Sequence, residues 1–190
     1  MNLPFICDKI FKKQIYTDKP LPKAEYDNCQ FIDCNFSDAF LSYISFIDCE
    51  FINCNLSSAK VKDATFKDVI FSDCKIMGVL FNMCNPFLLA LSFKNCSLNL
   101  SAFNNLKLKG TVFNLCSLKQ TDFSDADLSY STFLNSDLDQ TIFNKTNLSH
   151  ADFTTSKNII LNPEFNNLNA AKFSKENVLG LLTSFNIIIE

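Results

Sequence analysis

The chain has 190 residues, a formal net charge of −3, 47% apolar and 19% charged residues, and every one of its 17 basic residues is lysine. Such a composition excludes a disordered chain, and the longest apolar stretches are too short to span a bilayer. Weak acidity without arginine argues against direct binding of nucleic acid, and the length fits one domain with one core.

Residues 1–23 lack the basic region and long apolar segment of a secretory signal, which points to a cytoplasmic protein. This stretch holds Lys9, Lys12, Lys13, Lys19 and Lys23, with Pro20 and Pro22 near its end. Phe11, Tyr16 and Leu21 already stand five residues apart, so the spacing predicts an irregular first coil that closes the column.

From Tyr26 the interval of five governs the chain. Large apolar residues occupy every fifth position through Phe31, Phe36 and Leu41 to Phe81, then from Phe93 to Phe153. Helices repeat at 3.6 residues and strands at 2, so a period of five fits neither. It marks a stacked repeat, and residues 24–155 are expected to form one continuous solenoid. Two residues before each centre sits a compact residue, such as Cys29, Cys34, Ala39 or Thr121. Two residues after it, Asn, Asp or Gly recurs, for example Asn28, Asp33, Gly78 and Asp125, which predicts a tight corner in every repeat.

Between Phe81 and Phe93 lie two residues too many. A bulge is expected near 82–92, interrupted at Pro86 for want of a backbone donor. Its apolar residues are expected to tuck back into the column, with Leu88 and Leu91 returning to register. Pro86 and Phe87 are the candidate knob if the loop carries an interaction.

Beyond 155 the rule weakens, although Leu168 and Phe173 return. Residues 156–190 read as a worn coil and a helix over 175–183 capped by Ser174, with Phe185–Ile189 as a terminal strand. An apolar terminal strand is a pairing edge that a two-fold dimer hides. Val178, Leu181, Leu182, Phe185, Ile187 and Ile189 are the candidate dimer interface.

Eight of the nine cysteines fall two before a centre, and only Cys7 does not. If the bulge merely adds two residues, Cys34, Cys54, Cys74, Cys96 and Cys116 form one vertical ladder. A free thiol behaves as a small hydrophobe suited to a compact slot, so these are read as core, with a redox or metal role as the distant rival. No catalytic set, metal cluster or cofactor loop can be assembled; His150 falls at a corner. The chain is read as no enzyme, with no cofactor and no metal.

The runs Thr121-Asp122-Phe123-Ser124-Asp125 and Ala126-Asp127-Leu128-Ser129-Tyr130 resemble the unit of the pentapeptide-repeat family. The resemblance implies an all-β, right-handed quadrilateral β-helix with four repeats per coil, here a rod of roughly 30 Å at the usual strand spacing. The broken repeat and the segment from Lys172 to Glu190 resemble the quinolone-resistance (Qnr-type) branch, whose C-termini dimerise tail to tail. Those proteins are acidic rods that imitate duplex DNA and bind type II topoisomerases.

Function by that resemblance is a non-catalytic partner of DNA gyrase or topoisomerase IV. Asp122, Asp125, Asp127, Asp137 and Asp139 are the candidate contacts. The charge runs acidic, basic, acidic along the chain, since residues 56–119 hold eight lysines, and much of the Asp also suits turn chemistry. A general protein-binding scaffold using Pro86 and Phe87 is the alternative.

Overall fold

The computed structural model describes residues 3–185, 187 and 188. Short parallel strands pair with their equivalents one coil away. Ile6 lies beside Tyr26 and Tyr26 beside Phe46, while Phe11 lies beside Phe31 and Phe31 beside Phe51. Each step is 20 residues, four units of five, so every coil has four walls.

The first wall stacks Phe5–Cys7, Glu25–Asp27, Ser45–Ile47 and Thr65–Lys67. The second is a seven-stranded ladder from Ile10–Lys12 to Thr132–Leu134. The third and fourth walls are joined by single bridges, such as Asn35 to Asn55 and Ala102 to Asp122. Side chains alternate across each wall, so the centre and the compact residue two before it both point inward.

The centres make a solid column. Nine phenyl rings of the second wall, from Phe11 to Phe173, stack with centroids 4.7–5.3 Å apart. Eight such steps span about 40 Å, longer than the sequence suggests because the first and last coils also stack. Below the bulge, Phe103, Phe123 and Phe143 meet these rings edge-on from the opposite wall. This is the strict Phe/Leu alternation of the sequence expressed as two aromatic walls facing each other between two leucine walls.

The compact slots are filled by groups that donate upward. Cys54 donates its thiol to the Phe31 carbonyl at 3.2 Å and Cys74 to Phe51 at 3.3 Å. Further down, Thr121 and Ser136 hydroxyls make the same bond to Leu98 and Phe113. A small side chain with one hydrogen to give therefore fits the slot whether it is Cys, Ser or Thr. Among the described residues, eight cysteines are buried and only Cys7 is exposed. Burial pushes the Cys49 and Cys84 thiols up to about 12, and among the described residues no group of three or more His, Cys, Asp or Glu could hold a metal.

Corners form where the Asn, Asp and Gly residues foretell them. The residue two after the centre has positive φ at every centre from Tyr26 to Leu148 except Phe81. At some corners the conformation is imposed on a residue that resists it: Leu100 has φ 63° and Leu115 φ 57°, and both are exposed. Leu115→Asn should therefore stabilise the chain by about 1 kcal/mol, because left-handed backbone costs an ordinary side chain about that much. A raised midpoint in chemical denaturation checks this, and a lowered one contradicts it.

The bulge departs from expectation. Register across it grows to 22 residues, Phe71 lying beside Phe93 and Leu80 beside Ala102. Leu91 does return inward, but Phe87 and Leu88 stand out in solvent, and Leu89 packs on the column in their place. The reason is the Asn85 carboxamide, which accepts the Phe87 N–H at 3.0 Å and turns the chain outward before Leu88.

The C-terminal cap also differs. In place of an α-helix over 175–183, two 3-10 turns cover Asn177–Leu181 and Thr183–Phe185. Ser174 does cap this segment, its hydroxyl accepting the Asn177 N–H at 3.0 Å. The Asn177 carboxamide donates to the Phe153 and Ser156 carbonyls and fastens the segment to the last coil, and Gly180 lies so close to the Ile159 carbonyl that any side chain there would clash. Nor do the described residues among 185–189 form a strand: Phe185 belongs to the second turn, and Ile187 and Ile188 lie outside any ladder, while Asn186 and Ile189 lie outside the described residues. A strand needs a neighbour for its backbone groups, and among the described residues none lies beside this segment.

Candidate protein-interaction surface

Along the regular repeats, solvent meets the wall residues flanking each centre and the corners. The structure divides the five candidate aspartates between two sides of the rod. Asp122 lies on the fourth wall, Asp125 at the next corner and Asp127 on the first wall, whereas Asp137 and Asp139 lie on the third.

Most of these carboxylates serve the backbone. Asp122 accepts the Ser124 N–H, Asp127 the Ser129 N–H and Asp137 the Asp139 N–H. Asp127 also accepts the Asn147 carboxamide at 2.8 Å. Asp137 takes the Asn158 carboxamide at 2.7 Å and pairs with the Lys119 ammonium at 3.0 Å. Partial burial works against its charge, but those partners outweigh it and hold the Asp137 carboxyl below its usual range. Asn35, Asn55 and Asn147 do the same turn work without charge. Of the five, Asp125 alone is fully exposed.

The better display of charge lies elsewhere. Asp8, Asp48 and Asp68 occupy one edge of the second wall, and Asp33 and Asp73 the other; all five are exposed, with positive φ. Consecutive corners in an edge stand one coil, about 4.8 Å, apart. Asparagines fill some of the remaining corners and tie neighbouring coils together, Asn28 donating to Asp8, Asn53 to Asp33 and Asn95 to Asp73, each at 2.7–2.8 Å. Glu50 lies between the edges, bonded by Gln30 at 3.0 Å. The signal was present in the sequence, as acidic residues two after centres that are 20 apart.

The eight lysines from Lys60 to Lys119 fall on all four walls and form a belt rather than a face. On the bulge, Phe87 is 70% exposed beside exposed Pro86 and Leu88. At the end of the rod Val178, Phe185 and Ile187 are exposed, while Leu181 and Leu182 are half-buried and Leu181 packs on the column. Ile189 lies outside the described residues. His150 stacks on Tyr130 at 4.5 Å, and the Lys109 ammonium lies over the same Tyr130 ring. No helix among the described residues is long and apolar enough to cross a membrane.

A family model described as pentapeptide repeat region matches residues 19–85 and 44–123, and one described as pentapeptide repeats matches residues 121–157. No curated protein matches in sequence. Among solved structures the chain is similar to a trypsin-treated form of QnrB1, a plasmid-mediated fluoroquinolone resistance protein. That pair has a TM-score of 0.65 and 19% identity over 98% of this chain and 91% of the other. It is also similar to HetL, a protein involved in heterocyst differentiation regulation from the cyanobacterium Nostoc sp. strain PCC 7120. There the TM-score is 0.59, with 14% identity over 92% of this chain and 88% of HetL. At these identities the likeness is one of fold.

Proposed function

The chain belongs to the pentapeptide-repeat family, and on that premise we propose that it is a non-catalytic cytoplasmic rod that occupies the DNA groove of a type II topoisomerase, DNA gyrase or topoisomerase IV. The observation that carries this reading is the pair of exposed carboxylate columns along the second wall. Fixed corners hold Asp48 and Asp68 one coil apart on one edge and Asp33 and Asp73 two coils apart on the other, a regular row of negative charge that resembles the spaced phosphates of a duplex. Below the lysine belt Asp125 is exposed on a different edge, between half-buried Asp122 on the fourth wall and Asp127 on the first, with half-buried Asp137 and Asp139 on the third.

A second copy meeting the exposed Val178, Phe185 and Ile187 would double the rod. Leu182 and Ile189 would join that contact, with Leu181 supporting it from behind. The competing reading is a protein-binding scaffold without topoisomerase activity, favoured by exposed Phe87 on the bulge.

Gyrase supercoiling, titrated with the purified chain with and without a fluoroquinolone, separates the two. Inhibition without drug, or restored supercoiling under drug, is the expected result. No effect at tens of micromolar protein overturns the topoisomerase reading and leaves the scaffold.

A further inference from the structure

The fourth wall contains a split on the coil before the bulge, where the second and third walls pair without interruption. Bridges join Phe40 to Lys60 and run on from Leu80 through Ala102 and Asp122 to Ile142, but the step from Lys60 to Leu80 is missing. Its cause is the backbone of Leu80, at φ −92° and ψ 76°, which leads into the 3-10 turn of Phe81–Met83. The Leu80 carbonyl turns away from the neighbouring coil and accepts the Met83 N–H at 3.1 Å. Pairing resumes at once, with Asp63 donating to the Met83 carbonyl at 2.9 Å.

The split leaves backbone groups without their ladder. One coil up, Leu41 donates to the Lys60 carbonyl and Lys60 to the Ala39 carbonyl. Here the equivalent N–H groups of Val61 and Leu80, and the carbonyl of Ala59, have no hydrogen-bond partner among the described residues. Between them lies a groove of about 200 Å³. Ala59, Val61 and Leu80 line it, Gly78 opens one end, and Lys60, Lys62 and Met83 stand beside it. Both lysines are exposed, and neither is in an ion pair with any described residue.

We propose that this split is a docking site for an extended segment of another protein that carries an acidic residue next to an apolar one. The chemistry selects that occupant. Two unpaired backbone donors and two exposed lysines border the slot, which favours a carboxylate and repels a basic segment. Exposed Leu80 and Met83 make an apolar shelf beside it, with 52% and 47% of their surfaces open. The vacant Ala59 carbonyl is an acceptor for the segment's own N–H. Backbone groups without a partner offer an incoming strand ladder bonds that a fully paired wall does not. The site is on the wall opposite the carboxylate columns, so it stands or falls independently of the topoisomerase reading.

Panning a phage library of random dodecapeptides on the full-length chain tests it, followed by affinity measurement on the selected peptides. Enriched peptides should share Asp or Glu beside Leu, Ile, Val or Phe. Their binding should weaken about tenfold or more in the Lys60→Glu, Lys62→Glu double variant, whose exposed substitutions leave the column intact. Amide hydrogen exchange gives an independent readout: Val61 and Leu80 should exchange quickly in the free protein and slow when peptide binds. Peptides without an acidic consensus, equal binding to the double variant, or Val61 and Leu80 amides already as protected as Lys60 and Ala102 would each overturn the proposal. Tighter binding of an oligothymidine probe than of any peptide would overturn it in favour of nucleic acid.

Discussion

Phe113→Ala should cost about 3–5 kcal/mol, the range for emptying a fully buried phenylalanine site. The Phe113 ring is 0% exposed. It stacks on Phe93 at 5.3 Å and Phe133 at 5.0 Å, and meets Phe103 and Phe123 edge-on. Each such aromatic contact adds about 0.5–1.5 kcal/mol beyond the area it buries. The column is one side chain thick, so nothing behind Phe113 can move in to fill the hole, and a solenoid is held by nearest-neighbour contacts alone. The loss should appear as a lower denaturation midpoint, with faster amide exchange in Val112–Asn114 and Thr132–Leu134. Phe87→Ala is the natural comparison: that ring is exposed, and its removal should change stability by no more than about 0.5 kcal/mol. Equal effects from the two substitutions would contradict the column.

Neutralising Asp8, Asp33, Asp48, Asp68 and Asp73 together to Asn should weaken gyrase inhibition about tenfold to a hundredfold. That is the scale on which clustered charge accelerates association with an oppositely charged groove. Asparagine adopts the left-handed corner as readily as aspartate. Its carbonyl can still accept the bonds that Asn28, Asn53 and Asn95 give to Asp8, Asp33 and Asp73. Fold and stability should therefore persist while the charge disappears. The test is a supercoiling titration of the variant beside the wild type, with far-ultraviolet circular dichroism as the check on folding. An unchanged titration would show that the columns are corner chemistry only.

A period of five made most of the architecture legible. It named the buried centres, the compact slots and the corners, because each is a local demand repeated at fixed spacing. Even the five-thiol ladder followed, since it needs only that the bulge insert two residues. What was hidden depends on single backbone torsions or on tertiary contacts. Leu88 has the right spacing and side chain for the column, yet the turn held by Asn85 throws it outward. The apolar pattern of Val178, Leu179, Leu181 and Leu182 suits an α-helix, but Asn177 is fastened to the last coil, Gly180 lies close against it, and the segment forms 3-10 turns. Turn chemistry was legible for the Asp as a class, but which carboxylates were occupied was not: Asp122, Asp127 and Asp137 are held by their own turns, whereas Asp125 stays exposed. The split at Leu80 has no signature at all, because leucine is unremarkable there and only its ψ departs from the ladder.

Under the proposed function the rod competes with DNA through charge held at fixed corners. The most direct test of this is equilibrium displacement of a fluorescently labelled duplex from purified gyrase by this chain, at low and at high salt. The account predicts displacement at low salt that fades as ionic strength screens the carboxylates. Gyrase that keeps its duplex at every protein concentration, or loses it equally at both salt levels, would contradict it.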